Sequence, residues 1–254
     1  MRVLIYDLET SPNIGYFWKM WKENIGWNQV VEVGTVITWA AKWLGEDEVF
    51  SMSEYFDGTI EMLQGLHDLM SEADVIVAYN GNRFDRPVMN TAFVLNGFPP
   101  PPPSKQVDMF VVAKKQFRLL SNRMDAVAEM LGLEQKTDTG GFTLWSRCMD
   151  GEEDAWKEMI EYNEQDVRVL EQIYTELRAW IPNHPNAALY SGDGSAKRTC
   201  PTCGSAHVQS RGTTKTSTMV YRRFQCMDCK SWARQRLSDK DLQPRPELVG
   251  DNTK

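Results

Sequence analysis

The chain opens with a short apolar stretch, RVLIY, followed directly by DLET. Such a stretch predicts a buried β-strand over residues 2–6. Asp7 and Glu9 are two positions apart, so on a strand both side chains point to the same side. Two carboxylates held that close repel each other unless a positive charge lies between them. The opening segment therefore predicts a strand that ends beside a bound metal ion.

Strand and helix patterns follow one another over the first 180 residues, which predicts an α/β domain. β-Branched and aromatic residues favour strands, and apolar residues at helical spacing favour helices. A run of prolines, Pro99–Pro103, predicts an extended connector. The predicted strands cover 2–6, 30–43, 48–56 and 74–79, and the predicted helices cover 60–70, a segment after Asp85, 124–131, and a long segment from about 150 to just before Pro182.

The charge of the chain changes sign after this region. Residues 197–236 contain nine basic residues and one acid, a net charge of +8. The remaining residues have 28 − 9 = 19 basic and 35 − 1 = 34 acidic side chains, or −15, and the two parts give the total of −7. Residues 182–196 have the Pro, Gly, Asn and Ser composition of a linker. We predict a domain at 1–181, a linker at 182–196, a basic module at 197–237 and a disordered tail at 238–254.

Two further segments place acids beside predicted buried elements. In AYNGNRFDRPVM, Asn80 and Asp85 follow a strand, and in YNEQDVRVL, Tyr162 and Asp166 share one face of the last helix. Taken singly, each pattern is common, because acids often end strands, cap helices or face solvent. Their occurrence together, in this order, favours a functional site.

These motifs resemble the DEDD superfamily of 3′–5′ exonucleases. The order DLET, YNGNRFDRP and Y-x3-D is similar to the branch with tyrosine in its third motif, and in particular to the proofreading exonuclease domain of family B DNA polymerases. The resemblance covers about residues 1–180. It implies a ribonuclease H-like fold, a mixed sheet whose first three strands form an antiparallel meander with helices on both faces.

The resemblance also implies two Mg²⁺ or Mn²⁺ ions in the active site. Asp7 would bridge both ions. Glu9 and Asp166 would complete the first, and Asp85 would hold the second, partly through water. Carboxylate oxygens are the ligands that these hard cations prefer, and a pair of such ions can stabilise the attacking and leaving oxygens of a phosphoryl displacement.

Substrate contacts are expected around this site. By resemblance, Tyr162 positions the attacking water and Asn80 holds the substrate strand, with Thr10 completing the DLET motif. The aromatic segment 11–29 includes Trp18, and such rings stack on unpaired bases at about 1–3 kcal/mol each. The alternative is that most of these rings pack against the edge of the sheet.

The basic module contains two CxxC pairs, Cys200/Cys203 and Cys226/Cys229, separated by 22 residues. This spacing predicts a four-cysteine zinc ribbon that holds one structural Zn²⁺. Its positive charge, with Arg222 and Arg223 among aromatic residues, favours nucleic-acid binding. Protein contacts or a purely stabilising role are the alternatives. Cys148 is expected to be a buried small hydrophobe and His207 a bystander to the metal.

The sequence thus predicts a 3′–5′ exonuclease that acts on single-stranded or frayed DNA ends. An RNA exonuclease or a structure-specific DNA endonuclease with the same residues stays open, as does a non-catalytic nucleic-acid-binding protein. A replication or repair protein is a candidate partner. No signal peptide or membrane segment is recognisable, so the cytoplasm of a bacterium or of a phage-infected host is expected.

Overall fold

The computed structural model describes residues 1–22, 24–133, 141–190 and 198–236. It forms two compact units, one of Arg2–Tyr174 and a second that begins at Thr175. The predicted domain limits stay predictions, and residues 191–196 of the predicted linker and all of the predicted tail lie outside the described residues. Within the described ranges, no helix is long and apolar enough to cross a membrane.

Strands and helices follow one another along the first unit, as predicted, and β8, β9 and β10 below belong to the second unit. The strands among the described residues are β1 (Val3–Thr10), β2 (Ile14–Gly15), β3 (Val30–Glu32), β4 (Val36–Trp43), β5 (Val49–Ser53), β6 (Val75–Ala78), β7 (Lys105–Asp108), β8 (Val208–Lys215), β9 (Val220–Cys226) and β10 (Trp232–Arg234). The α-helices in the same ranges are α1 (Glu54–Asp57), α2 (Thr59–Glu72), α3 (Asp85–Leu95), α4 (Met109–Gln116), α5 (Met124–Leu131), α6 (Phe142–Met149) and α7 (Glu153–Leu177).

A mixed sheet of five of these strands forms the centre of the first unit, in the order β5-β4-β1-β6-β7. β1 and β4, and β4 and β5, pair antiparallel. β6 pairs parallel to β1, and β7 pairs parallel to β6. This topology confirms the predicted mixed sheet with an antiparallel meander. It also places β1 in the middle of the sheet, where strands on both sides satisfy its backbone.

Three predicted strands have different bounds in the structure. The predicted strand 48–56 ends at Ser53, because the Ser53 side chain accepts a hydrogen bond from the Phe56 N–H and caps α1. β1 does not end at residue 6 but continues to Thr10, so Asp7 and Glu9 lie inside the strand, opposite Ala40 and Thr38 of β4. The predicted strand 30–43 is divided into β3 and β4 near Gly34. There the backbone of Gly34 passes close to Ser11. A Cβ atom on residue 34 would lie 2.1 Å from the carbonyl oxygen of Ser11.

The two faces of the sheet pack against different helices. Alternate residues of β1, Leu4, Tyr6 and Leu8, belong to a core with α2 and α3. The helical partners in that core are Met62, Leu63, Leu66, Met70, Met89 and Phe93. A second core joins β4 to α6 and α7 and includes Cys148, which is 1% exposed as the sequence predicts. Asp7 and Glu9, at the alternate positions of β1, therefore face away from α2 and α3.

Polar contacts fix α7 to the antiparallel half of the sheet. Lys42 of β4 forms an ion pair with Glu171 of α7, and their side chains are only 8% and 17% exposed. The other oxygen of this carboxylate accepts a hydrogen bond from the Gly45 backbone N–H at 2.7 Å. Two turns earlier, Glu164 accepts one from the Ser51 hydroxyl at 2.8 Å. These contacts set the rotation of α7, because residues 164 and 171 are seven apart and share one side of the helix.

We predict that Glu171→Gln lowers the free energy of unfolding by about 3 kcal/mol, because Lys42 then keeps a buried charge without its partner. Urea denaturation at neutral pH measures the change. Glu161→Gln is the matched control, since Glu161 is exposed on the same helix and its charge is solvated. Adding Lys42→Met to Glu171→Gln should recover most of the loss, and equal losses in Glu171→Gln and Glu161→Gln would contradict the role of the pair.

Candidate active site and candidate zinc site

Three carboxylates from two elements converge in the first unit. Asp7 and Glu9 share a face of β1, and Asp166 comes from α7. One carboxylate oxygen from each lies within 4.8 Å of the other two. Oxygen ligands on opposite sides of one Mg²⁺ are about 4.2 Å apart. The donor set therefore fits one hard divalent cation.

These acids line a cleft of about 220 Å³. Every residue that the sequence predicts to be catalytic contributes to its wall, and so does Asn80. The full lining is Asp7, Leu8, Glu9, Tyr79, Asn80, Phe84, Asp85, Met124, Tyr162 and Asp166. The structure thus brings together residues that are up to 159 positions apart in the sequence.

Asp85 is the first residue of α3 and is 3% exposed. Burial raises the pKa of its carboxyl group to about 7, despite backbone hydrogen bonds that favour the charged form, and the negative charge of Asp108 adds to the increase. Asp85 lies outside the group formed by Asp7, Glu9 and Asp166. A second divalent cation beside it would favour the charged carboxylate, so Asp85 also fits a role as metal ligand.

The loop that leads to Asp85 is held by Asp108, which sequence reasoning did not select. The backbone N–H groups of Asn80 and Asn82 donate to its two carboxylate oxygens at 3.0 and 3.1 Å. Asn80 has a left-handed backbone, φ 64°, which asparagine tolerates better than most residues. Asp108 also caps α4 by accepting from the N–H of Phe110. Its signal in the sequence is an acid at the end of a strand and directly before a helix.

Asn163 is a second residue that sequence reasoning missed. Its side-chain Nδ2 donates to Oδ2 of Asp7 at 2.9 Å, and the residue is fully buried. Its Oδ1 is buried without a hydrogen-bond partner in the described structure. The bond holds Asp7 in one orientation toward the cleft. An asparagine on the apolar side of a predicted helix, next to Tyr162, is the signal that could have identified it.

Tyr162 is placed by the aromatic ring of Trp145 on α6. The two rings meet edge to face with centroids 6.2 Å apart. The indole N–H of Trp145 donates to the backbone oxygen of Thr10 at 3.2 Å. Trp145 therefore connects the end of β1 to the phenol of Tyr162, one helical turn before Asp166.

The remaining predicted substrate residues lie at the surface or the edge of the site. Thr10 ends β1 and is half-buried. Trp18 is 93% exposed between β2 and β3. Gln29 braces this segment, because its side chain donates to the Tyr16 carbonyl at 3.0 Å and accepts from the Gly26 N–H at 2.8 Å. The rings of Tyr16, Trp18, Trp21 and Trp27 are all largely exposed, so these four do not pack against the sheet edge.

Four cysteine sulfurs form a compact group in the second unit. The Sγ atoms of Cys200 and Cys229, and those of Cys203 and Cys226, are 3.6 Å apart. All four lie within 4.8 Å of one another. Thiolates around tetrahedral Zn²⁺, with Zn–S of 2.3 Å, are about 3.8 Å apart. The group therefore fits one zinc ion, and the predicted zinc ligands are brought together.

The surroundings of the sulfurs shift the pKa values of Cys200 and Cys203 in opposite directions. Burial would raise the pKa of Cys200, but hydrogen bonds from Ser231, whose Oγ is 3.1 Å away, and from backbone N–H groups lower it to about 7. Burial raises the pKa of Cys203, and the negative charge of Cys200 adds to this. A bound Zn²⁺ would favour the deprotonated form of every cysteine in the group, including Cys203, because it stabilises thiolates. His207 bonds to Asp228 at 3.2 Å and is not in the cysteine group.

The sheet of the second unit has the order β10-β9-β8. Arg222 and Arg223 are neighbours on β9, so their side chains leave opposite faces of this sheet. Both are exposed. The two predicted contacts therefore cannot act from the same surface.

The fold has counterparts among known proteins. A family model described as RNase_H superfamily matches residues 32–178. The structure of the family B DNA polymerase from the hyperthermophilic archaeon Pyrobaculum calidifontis matches with a TM-score of 0.53 and 19% sequence identity, over 70% of this chain and 24% of the polymerase chain. No curated protein matches the sequence. These matches confirm the predicted ribonuclease H-like fold, and the chain spans about a quarter of the polymerase's length.

The raised pKa of Asp85 predicts a pH-dependent stability when no Mg²⁺ or Mn²⁺ is added. An unfolded aspartate has a pKa near 3.9, so between about pH 4 and pH 7 the folded state binds more protons than the unfolded state, and stability falls as pH rises. We expect Asp85→Asn to remove this decrease, as measured by urea midpoints at about pH 5 and pH 7.5.

Asp47→Asn, at an exposed loop acid, is the control and should leave the decrease unchanged. Saturating Mg²⁺ near pH 7.5 should stabilise the wild type more than the Asp85→Asn variant. The same pH dependence in the wild type and in Asp85→Asn would show that Asp85 is not the group responsible.

For the cysteine group, we predict one zinc ion per chain, measured by elemental analysis of the purified protein. Cys226→Ser should lose most of the zinc and open the second unit to proteolysis, because the metal contributes directly to folding of such modules. Cys148→Ala is the control, since Cys148 lies outside the group. Full zinc content in Cys226→Ser would refute the assignment.

Proposed function

Because the chain belongs to the RNase H superfamily, we propose that it is a divalent-metal-dependent 3′–5′ exonuclease for single-stranded or frayed DNA ends, with a zinc ribbon that assists nucleic-acid binding. The observation that carries the proposal is the single cleft lined by Asp7, Glu9, Asp85, Tyr162 and Asp166. The order of these residues in the sequence, in motifs like those of the tyrosine-branch exonucleases, supports the 3′–5′ direction.

The acids of the cleft would bind the metal ions, and a neighbouring polar residue orients one of these acids. Asp7, Glu9 and Asp166 would hold one Mg²⁺ or Mn²⁺, and Asp7 with Asp85 a second. When bound, such ions would neutralise phosphate charge and lower the pKa of water, so that hydroxide is available to attack phosphorus. Asp7 receives its orientation from Asn163 at 2.9 Å. Asp85 must lose its proton before it can act as a ligand.

Tyr162 is the group best placed to orient the attacking water. It lines the cleft, and Trp145 restricts its ring. A hydrogen bond from water to a fixed phenol oxygen restricts where the water attacks, which lowers the entropic part of the barrier. Tyr162 therefore acts mainly by position.

The walls of the cleft favour one strand over a duplex. The volume of about 220 Å³ is below the roughly 300 Å³ of pockets that enclose a small ligand, so part of one nucleotide fits. Asn80, which lines the cleft, would hold the strand next to the cleaved phosphate. Trp18 and its exposed aromatic neighbours supply rings on which unpaired bases can stack.

We expect purified protein with Mg²⁺ or Mn²⁺ to shorten 5′-labelled single-stranded DNA stepwise from its 3′ end and to leave a 3′-blocked strand intact. Asp7→Asn removes the shared ligand. It should cost several kcal/mol of transition-state stabilisation, which is about a 1,000-fold fall in rate. Asp47→Asn should keep full activity.

The same assay separates the alternatives. Internal cuts in branched DNA would indicate a structure-specific endonuclease, and faster loss from a matched RNA would indicate an RNA exonuclease. Absence of cleavage with either metal, or an Asp7→Asn variant as active as the wild type, would overturn a catalytic role.

A further inference from the structure

One face of the three-stranded sheet in the second unit carries aromatic and arginine side chains in alternation. Tyr221, Arg223 and Gln225 alternate along β9 and share that face. Trp232 and Arg234 of β10 lie opposite Gln225 and Arg223, and cross-strand partners share a face. We call these five residues the arginine–aromatic face.

Diagonal contacts across the two strands order this face. The guanidinium carbon of Arg223 lies 4.6 Å from the centre of the Trp232 ring. That of Arg234 lies 4.2 Å from the centre of the Tyr221 ring. Both distances are within the range of cation–π attraction. Each arginine is therefore held on the sheet surface before any partner arrives, which reduces the entropy lost on binding.

The charge of this face is not balanced within the ribbon. Arg223 and Arg234 are directly opposite each other, an arrangement that is unfavourable for like charges on neighbouring strands. Asp228, the only acid in residues 197–236, is engaged with Ser205 and His207. Two adjacent guanidinium groups with no acid on the ribbon to pair with them favour a polyanionic partner.

The opposite face of β9 is mostly buried. Val220, Phe224 and Cys226 are between 2% and 8% exposed, and Arg222 is the exposed residue of that face. By contrast, Trp232 is 53% exposed. An aromatic ring beside fixed positive charge fits unpaired bases, whose faces stack on rings while arginines bond the phosphates. The paired bases of a duplex do not offer their faces.

We propose that the arginine–aromatic face binds single-stranded DNA, with bases stacked on Trp232 and Tyr221 and phosphates bonded by Arg223 and Arg234. This inference rests on the proposed function for the choice of DNA, and it assigns the binding of the ribbon to one side of its sheet. Arg223, but not Arg222, then belongs to the contact surface.

The test measures binding without cleavage. The full chain with Asp7→Asn is titrated with a fluorescent oligothymidine and with a matched duplex. No Mg²⁺ or Mn²⁺ is added, which prevents cleavage, and no chelator is used, so that zinc stays in place. Trp232→Ala should weaken single-strand binding about tenfold. Trp232→Phe should recover most of it, and duplex binding should change little in either variant.

Salt dependence separates stacking from charge. Arg223→Ala and Arg234→Ala should each reduce the salt slope of single-strand binding by about 0.7, the value for one lost phosphate contact. Trp232→Ala should leave that slope unchanged. Lys215→Ala is the control, because Lys215 lies opposite Val220 on the other face, and its affinity and slope should match the parent. Zinc content of each variant verifies that the ribbon is folded.

Failure of this inference is distinguishable from failure of the proposed function. Folded Trp232→Ala, Arg223→Ala and Arg234→Ala variants that bind single strands as tightly as the parent would refute the arginine–aromatic face, whatever the nuclease assay shows. Losses equal for duplex and single strand would refute the stacking of unpaired bases. A wild-type chain that binds as expected but cleaves nothing would refute only the exonuclease.

Discussion

Electrostatic repulsion between carboxylates is the constraint on which the active-site half of this structure depends. The fold keeps Asp7, Glu9 and Asp166 within 4.8 Å and buries Asp85 in the same cleft. Such an arrangement raises the energy of the metal-free state. Burial of Asp85, together with the charge of Asp108, raises the pKa of that carboxyl group to about 7 and adds a second unfavourable contribution when it is charged. Bound divalent cations would lower that energy, and metal affinity and stability would then be linked through the same residues. The rest of the domain must hold the acids in place while the metal is absent.

The rigidity needed for this comes from contacts outside the cleft. Backbone pairing on both sides fixes β1, and the pairing of Lys42 with Glu171 fixes α7 against β4. Between these anchors, Asn163 joins α7 to Asp7. Asp108 performs the equivalent task for the loop before Asp85, through the N–H groups of Asn80 and Asn82. Asp7 and the loop before Asp85 are therefore each supported by a polar residue on a second element, which is the arrangement that positions metal ligands in general.

Sequence patterns predicted the parts of the molecule that local chemistry determines. Alternation placed Asp7 and Glu9 on one face, helical spacing placed Tyr162 beside Asp166, and the CxxC pairs indicated the zinc ligands. The strand end at residue 6 was wrong because Asp7 and Glu9 resemble a polar boundary, although buried Leu8 continues the strand. Local pattern cannot show which polar residue is a structural partner.

Asn163, Asp108 and Trp145 escaped prediction for that reason. Asn163 bonds to Asp7, 156 positions away, and Asp108 accepts from the N–H of Asn82, 26 positions away. Trp145 bonds to Thr10, 135 positions away. Such pairs depend on the tertiary fold, which no window of sequence contains. The ribbon shows the same limit. Alternation along β9 separates Arg222 from Arg223, but only strand register brings Arg223 next to Trp232.

The opposite charges of the two parts of the chain have opposite effects on a polyanion. A cleft lined by carboxylates repels a polyanion unless cations neutralise it, and the residues outside 197–236 carry a net −15. Ionic screening limits this repulsion to about 8 Å at physiological salt, so it acts mainly near contact. Residues 197–236, at +8, supply an attraction of the other sign on the same chain. In the proposed exonuclease, a basic module tethered to an acidic domain would raise the local DNA concentration without placing positive side chains among the metal ligands, where they would compete with the cations.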